Sequence, residues 1–240
     1  MFLRKYEIYY LPKMKREIIK QIESYNGGLV DYSSLYFFLL EVFKKVGVLY
    51  AKATYRTVMA QANEKRMPIG FNELIINIII NEFRLKLLNE ASVEVAQTTK
   101  EIIEAALIKG QQEGMSLNEV INNLKGSNIV TWRARLILRT ELNKATNFAE
   151  QVGVDATGIA TQKEWVSTRD DRTRDSHLSA NGQLVEDGEP FLINGRYTMQ
   201  RPGDSTNEDG TKVPASEIVN CRCVVARKVK RDSTGKVIKK

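Results

Sequence analysis

Along the first half of the chain apolar residues recur every three or four positions, the period of a helix that buries one face. Ile18, Ile19 and Ile22 form such a face among Lys13, Lys15, Arg16 and Lys20, and Asn26-Gly27-Gly28 interrupts it. Ser33 or Ser34 can cap a long helix with Leu35, Phe38, Leu39, Val42, Val46, Leu49 and Ala53 on its apolar side, persisting to about Ala62. Pro68-Ile69-Gly70 makes a turn, and a second long helix follows to about Lys109. In it Phe71, Ile78 and Leu85 recur at sevens, as do Leu74, Leu88, Val95 and Ile102, with Asn81 breaking the second series. Long helices joined by a short loop should pack as an antiparallel hairpin, with the stripe as core.

Gly110 and Gly114 loosen the chain before Ser116-Leu-Asn-Glu119, whose capping-box spacing starts a short helix that ends at Lys125-Gly126-Ser127-Asn128. The next predicted helix, Thr131 to about Val152, carries Arg133, Arg135, Arg139 and Glu141. Positions two apart do not share a helix face, so Arg139 or Glu141 should turn inward. Past Gly153 the helical period stops. Lys163–Ser167, Phe191–Ile193 and Cys223–Val229 read as strands, and Asn181-Gly182 and Asn194-Gly195 supply turns between them. The expected fold class is α+β: an extended helical N-terminal region built on a long antiparallel hairpin (1–130), a small α+β domain with long loops (131–226) and a basic tail (227–240).

Composition narrows the function classes. The 240 residues carry a net charge of +7, which favours an anionic partner, nucleic acid before membrane. Arg227, Lys228, Lys230 and Arg231, with Lys236, Lys239 and Lys240, crowd the end of the chain. They are candidate contacts to double-stranded DNA, or else a solvated end. The longest apolar run, Leu74–Ile80, is far shorter than the roughly 20 residues of a membrane span, so a soluble protein is expected. Two cysteines do not make a secreted disulfide framework, and Cys-x-Cys closes too small a ring for a relaxed bridge.

The stretch Lys163–Cys223 concentrates the rare residues: the single histidine, His177, both cysteines, Cys221 and Cys223, and Trp165. Thiolate and imidazole suit zinc, and His177, Cys221 and Cys223 are the candidate ligands, with an Asp or water completing the set. The competing expectation has His177 hydrogen-bonded across a loop and the cysteines filling small core positions. Arg169, Arg172 and Arg174 alternate with Asp170, Asp171 and Asp175, a pattern of internal ion pairs rather than a phosphate groove. Arg222 should leave its strand opposite the cysteines and pair with one of these acids. There is no P-loop, no dinucleotide fingerprint and no Glu-x-Glu pair of the kind ADP-ribosylating toxins use. Enzyme activity is therefore the minority expectation, in the form of a nuclease or toxin-like effector using His177 and Cys221/Cys223, with a DNA-binding scaffold as a further alternative.

Trp165, Asp170-Asp-Arg172-Thr-Arg174, His177, Asn181-Gly182, Arg201-Pro-Gly-Asp204 and Asn220-Cys-Arg222-Cys223 together resemble the phage Mu protein F–like domain of minor head, or head morphogenesis, proteins. Arg139-Thr-Glu141 with Ala145, Asn147 and Ala149 is similar to that family's lead-in, and the resemblance covers about 131 to 226. It implies a virion component of a tailed bacteriophage, without enzymatic activity. Such a protein would act in head assembly and genome packaging or ejection, inside the capsid or at the portal vertex, after assembly in the host cytoplasm. The implied partners are the portal protein, with the major capsid or scaffolding protein as further candidates, and DNA. Some relatives carry Cys-x-x-Cys where this chain has Arg174 and His177, which would complete a zinc site that is only partial here.

Overall fold

The periodic segments do become helices, and the Gly- and Asn-rich remainder a small sheet. The computed structural model describes residues 2–64, 66–82 and 88–240. In order these are α1 (Phe2–Glu23), α2 (Ser33–Gln61), α3 (Phe71–Glu82), α4 (Leu88–Gln112), α5 (Leu117–Gly126) and α6 (Asn128–Asp155). There follow β1 (Thr161–Val166), α7 (Asp175–Ala180), β2 (Leu184–Glu186), β3 (Phe191–Ile193), β4 (Tyr197–Met199), α8 (Ala215–Ile218) and β5 (Val224–Val229). The chain is α+β, helices first and a small antiparallel sheet after them. Among the described residues, no helix is long and apolar enough to cross a membrane.

The chain divides into two compact units, Met1–Val42 with Ile80–Leu138, and Phe43–Ile79 with Arg139–Lys240. This differs from the linear division at residue 130, because the stretch 43–79 joins the C-terminal unit. In the first unit α1 turns Tyr10, Met14, Ile18 and Ile22 inward, one per turn, and it packs against α4 and α5. The buried Gln21 accepts from Thr99 Oγ1 at 3.0 Å, and the buried Arg133 guanidinium donates to Val95 O at 2.7 Å. Arg133 is thus interior. The capping box forms as expected: Ser116 accepts from the Glu119 amide, and the Glu119 carboxylate accepts from the Ser116 amide at 2.7 Å.

In the second unit the end of α2 and the start of α3 run antiparallel, with Tyr55 stacked edge-on against Phe71 at 4.8 Å and Gly47 beside Ile79. The buried stripes differ in phase from the sevens. On α3 they are Phe71, Ile75 and Ile79, while Leu74 is exposed; Leu85 and the side chain of Leu88 lie outside the described residues. The segment Leu74–Ile80 is apolar on nearly every side, so its period could not choose the face. On α2 the stripe rotates after Val46 to Ala51, Tyr55, Val58 and Met59, leaving Leu49 exposed. There α2 also meets α6, where Gly153 abuts the Ala51 carbonyl, and a second neighbour widens the buried face.

The sheet has the order β2-β1-β5, antiparallel throughout, with Lys163 opposite Val185 and Arg227, and Trp165 opposite Val225. A second hairpin, β3-β4, turns at Asn194 and Gly195, whose φ values of 56° and 62° and the Arg196 N–H to Ile193 O bond make a type I′ turn. Trp165 is the centre of the small domain's core, packed with Phe191, Ile193, Met199, Ile218 and both cysteines. The tail is not loose. Ala160 N donates to Ile238 O, Lys240 N to Gly158 O and Ile238 N to Lys230 O, folding the last residues back on themselves and beside β1.

A Cβ on Gly153 would stand 2.4 Å from the Ala51 carbonyl oxygen, a backbone atom that cannot step aside. Gly153→Ala should therefore lose about 1–3 kcal/mol of stability through overpacking, outweighing the roughly 1 kcal/mol that alanine gains in a helix. Gly47→Ala crowds the end of a side chain, Ile79 Cδ1 at 2.6 Å, rather than backbone, and should cost less. Thermal and denaturant unfolding of the two variants will check this order.

Candidate functional site

The small domain gathers the motif residues around the chain's two thiols. Cys221 and Cys223 flank Arg222 in the extended lead-in to β5, so both sulfurs point one way and the guanidinium the other. Arg222 forks onto Asp170, with both N–O distances at 2.5 Å, as the strand geometry required. Asp170 also accepts from Thr173 Oγ1 and the Arg172 amide, while the Arg172 side chain is mostly exposed. These contacts, the Arg222 fork foremost, hold the Asp170 carboxyl well below the usual carboxylate range.

Behind the thiols stands His177, delivered by α7 and 1% exposed. Its Nδ1 lies 3.6 Å from Cys221 Sγ and 3.4 Å from Cys223 Sγ. Its Nε2 is 3.2 Å from Glu217 Oε2 on α8, a contact distance without hydrogen-bond alignment. Glu217 in turn accepts from Ser176 Oγ at 2.8 Å. The hydrogen bond between the sulfurs, and then the facing imidazole, pushes the Cys223 thiol down. The same sulfur contact and burial push the Cys221 thiol up.

The remaining motif residues frame this centre. Arg174 donates to Val219 O, and Ser167 Oγ donates to His177 O at 2.5 Å. Gly182, at φ 82°, donates its N–H to Trp165 O at 2.8 Å, and the Asn181 side chain accepts from Ser167 N. Asn220, at φ 58°, donates its N–H to Thr140 Oγ1 at 2.9 Å. In the lead-in helix Glu141 is the buried member of its pair and takes Lys144 at 3.0 Å, whereas Arg139 is half-buried. Trp165 contacts His177 edge-on at 5.3 Å. A hollow of about 360 Å³ nearby is lined by Asp175, Ser176, Ser179, Leu192 and Asn194, and none of the His177, Cys221 and Cys223 side chains opens into it.

The basic tail requires a correction. Arg227 is not a surface cation: its side chain is 4% exposed and forks onto Glu150 at 2.7 and 3.0 Å. It also pairs with Asp187 and donates to Gln151 Oε1 at 2.6 Å. An inward position on β5 took it into the core, where burial pushes the Glu150 carboxyl up although Arg227 opposes it. Lys230 pairs with Glu186 at 2.8 Å, Lys239 with Glu64, and Lys240 with Asp155 and Asp187. Arg231 donates to the Gln61 and Gly235 carbonyls, and Lys228 is exposed.

Sequence reasoning also missed Lys163. It is fully buried, donates to the backbone and side-chain oxygens of Gln200 at 2.9 and 2.7 Å, and lies 5.2 Å above the Phe191 ring. Burial pulls its pKa down to about 8. A lysine in a strand of alternating burial was the one available signal.

With that geometry in hand, the comparisons give it a class. Residues 101–226 match the family described as phage Mu protein F like protein, and the chain belongs to that family of phage head morphogenesis proteins. The chain is also similar to an NAD(+)–arginine ADP-ribosyltransferase EFV of Enterococcus faecalis, 26% identical over 163 residues, or 65% of this chain. It spans only 31% of that relative's length. No solved structure matches.

Arg227→Ala would leave Glu150 and Asp187 facing each other in the interior, and it should cost about 3–5 kcal/mol. Arg222→Ala should cost clearly less, because its pair is partly solvated. Asp170 has a folded pKa below its unfolded value near 3.8, so its contribution is fully present above that value and is lost as pH falls below it. The gap between wild type and Arg222→Ala should therefore be widest near neutrality and close in strong acid. Denaturant titrations at several pH values will measure both effects.

Proposed function

We propose that this chain is a structural minor head protein of a tailed bacteriophage, acting in head morphogenesis at or near the portal and resident in the virion. The observation that carries this reading is what the family motif does in the fold. Trp165, His177, Cys221 and Cys223 are buried, and Asp170, Arg174 and Arg222 are spent on one another's segments. A set of reactive groups used for catalysis would open onto a substrate cavity. Here the rare residues close a loop-rich domain instead. Deleting the gene from its phage should leave heads that are misassembled or fail to package, and the protein should co-purify with the cognate portal. Normal particles from the deletion phage would remove the head role, and absence from portal complexes would remove the docking site.

The likeness to an ADP-ribosyltransferase favours a second reading, that of an effector enzyme. Two facts weigh against it: the match covers under a third of that protein, and this chain has no Glu-x-Glu pair. The shared part is read here as a head-protein module that such an effector also carries. Incubating the protein with labelled NAD and an arginine-rich acceptor should give no transfer above background; robust transfer would reverse the choice.

Contact with packaged double-stranded DNA is the finer part of the proposal. With Arg227 withdrawn, it rests on Lys228, Arg231 and Lys236 at the exposed edge of the tail. Three phosphate contacts would give a log–log salt slope of about −3, independent of sequence. A charge-reversed Lys228→Glu/Arg231→Glu variant should flatten that slope. Affinity unchanged by salt or by the variant would count against DNA contact.

A further inference from the structure

We propose that His177, Cys221 and Cys223 form a binding site for a thiophilic divalent cation, zinc above all, with the fourth position left to water or a small anion. The three donor atoms lie within 4.8 Å of one another and all three residues are buried. Zinc bonded to sulfur at about 2.3 Å and to imidazole nitrogen at about 2.0–2.1 Å in a tetrahedron sets its S···N edge near 3.6 Å. The two S···N distances here, 3.6 and 3.4 Å, are those of such an edge.

Thiols alone account for the arrangement less well. Neutral imidazole offers one lone pair at Nδ1, so only one of the two sulfurs that converge on it can donate there, and the other must turn its S–H to its neighbouring sulfur. A cation between the three atoms satisfies all of them at once. Glu217 on the far side of the ring suits the same role: a carboxylate beside Nε2 favours the proton there and leaves the Nδ1 lone pair for a metal. It need only rotate slightly to become the usual outer partner of a ligating histidine.

Charge favours the same occupant. Two thiolates among Trp165, Phe191 and Ile218 would be costly to bury bare, and one divalent cation neutralises them. Soft sulfur with imidazole selects zinc over magnesium or calcium, which demand oxygen donors. Among the described residues no further His, Cys, Asp or Glu joins the cluster. The site would then differ from a closed structural knuckle in holding one exchangeable position. It would tie α7 to the lead-in of β5, with α8 behind it, and couple that part of the fold to the metal.

The test uses full-length protein, purified without a polyhistidine tag or chelator, and reads the metal directly. Elemental analysis should find about one zinc per chain. Replacement by cobalt(II) should give the intense tetrahedral d–d bands and a near-ultraviolet thiolate charge-transfer band. Cys221→Ser/Cys223→Ser should lose both signals, while Arg222→Ala, which changes no ligand, should keep them. Chelation should lower the melting temperature, and zinc, but not magnesium, should restore it. Wild-type protein with neither zinc nor a thiolate–cobalt band overturns the proposal, as does a double-serine variant that retains metal at wild-type stoichiometry. Should the double variant not fold, the wild-type cobalt spectrum decides the question alone. These outcomes are independent of the head-morphogenesis reading, which the deletion phage tests.

Discussion

The small domain depends on how the open edge of β5 is closed. β1 covers one side of that strand, and among the described residues no strand covers the other. Two side-chain amides stand in for the missing neighbour. Asn147 donates to Cys223 O at 3.2 Å and accepts from Val225 N at 3.3 Å. Gln61 repeats the pattern four residues along, donating to Arg227 O at 3.2 Å and accepting from Val229 N at 3.3 Å. Each amide offers one donor and one acceptor at the spacing a strand would. Asn143 adds a further bond to Cys223 O at 2.9 Å. An uncovered edge exposes unpaired backbone groups to any passing chain; here the helices α2 and α6 supply the cover. The register of β5 against α6 follows, and with it the placement of both thiols beneath α7.

The same strand explains where the charge goes. Arg227 opens the segment that Gln61 bridges and points at α6, so it must carry its counter-ions inside with it. Glu150, Asp187 and Gln151 satisfy the guanidinium from three directions. A buried charge pair with every donor met is a weak source of net stability but a strong penalty on any other register, since a slip by one residue would strand the charge. The tail then returns along β1, and Lys240 reaches Asp155 and Asp187. A net charge of +7 therefore overstates the positive surface, because much of the C-terminal excess is balanced within the fold.

Features with a local cause were legible in the sequence. The capping box of α5, the strand around Trp165 and the Asn-Gly hairpin each depend on neighbours a few residues away, and each formed where its signal lay, whereas α6 (Asn128–Asp155) starts earlier and ends later than the expected Thr131 to about Val152. The Arg222–Asp170 fork was also readable, because the alternation of a strand fixes which way a residue between two inward cysteines must point. What escaped has a distant cause. Glu150 lies 77 residues from Arg227, Glu217 lies on a helix of four residues, and α7 has six, too short for any period to register. The helix stripes shifted phase where the run was uniformly apolar or where a second helix widened the buried face, and spacing alone holds neither fact.

Rare residues drew attention to Lys163–Cys223 as an active site would, yet the packing gives rarity another meaning. Long loops between short strands leave many polar groups to satisfy and little apolar area to bury, so the few strong interactions must be specific. An imidazole with two thiols, an Arg–Asp fork and an indole wedge each hold segments that local propensity would leave free. Substituting any of them removes a cross-link rather than a contact. A domain held by a few obligatory links keeps its shape only while those links stand, so its stability is concentrated in a handful of side chains rather than spread over a large apolar core.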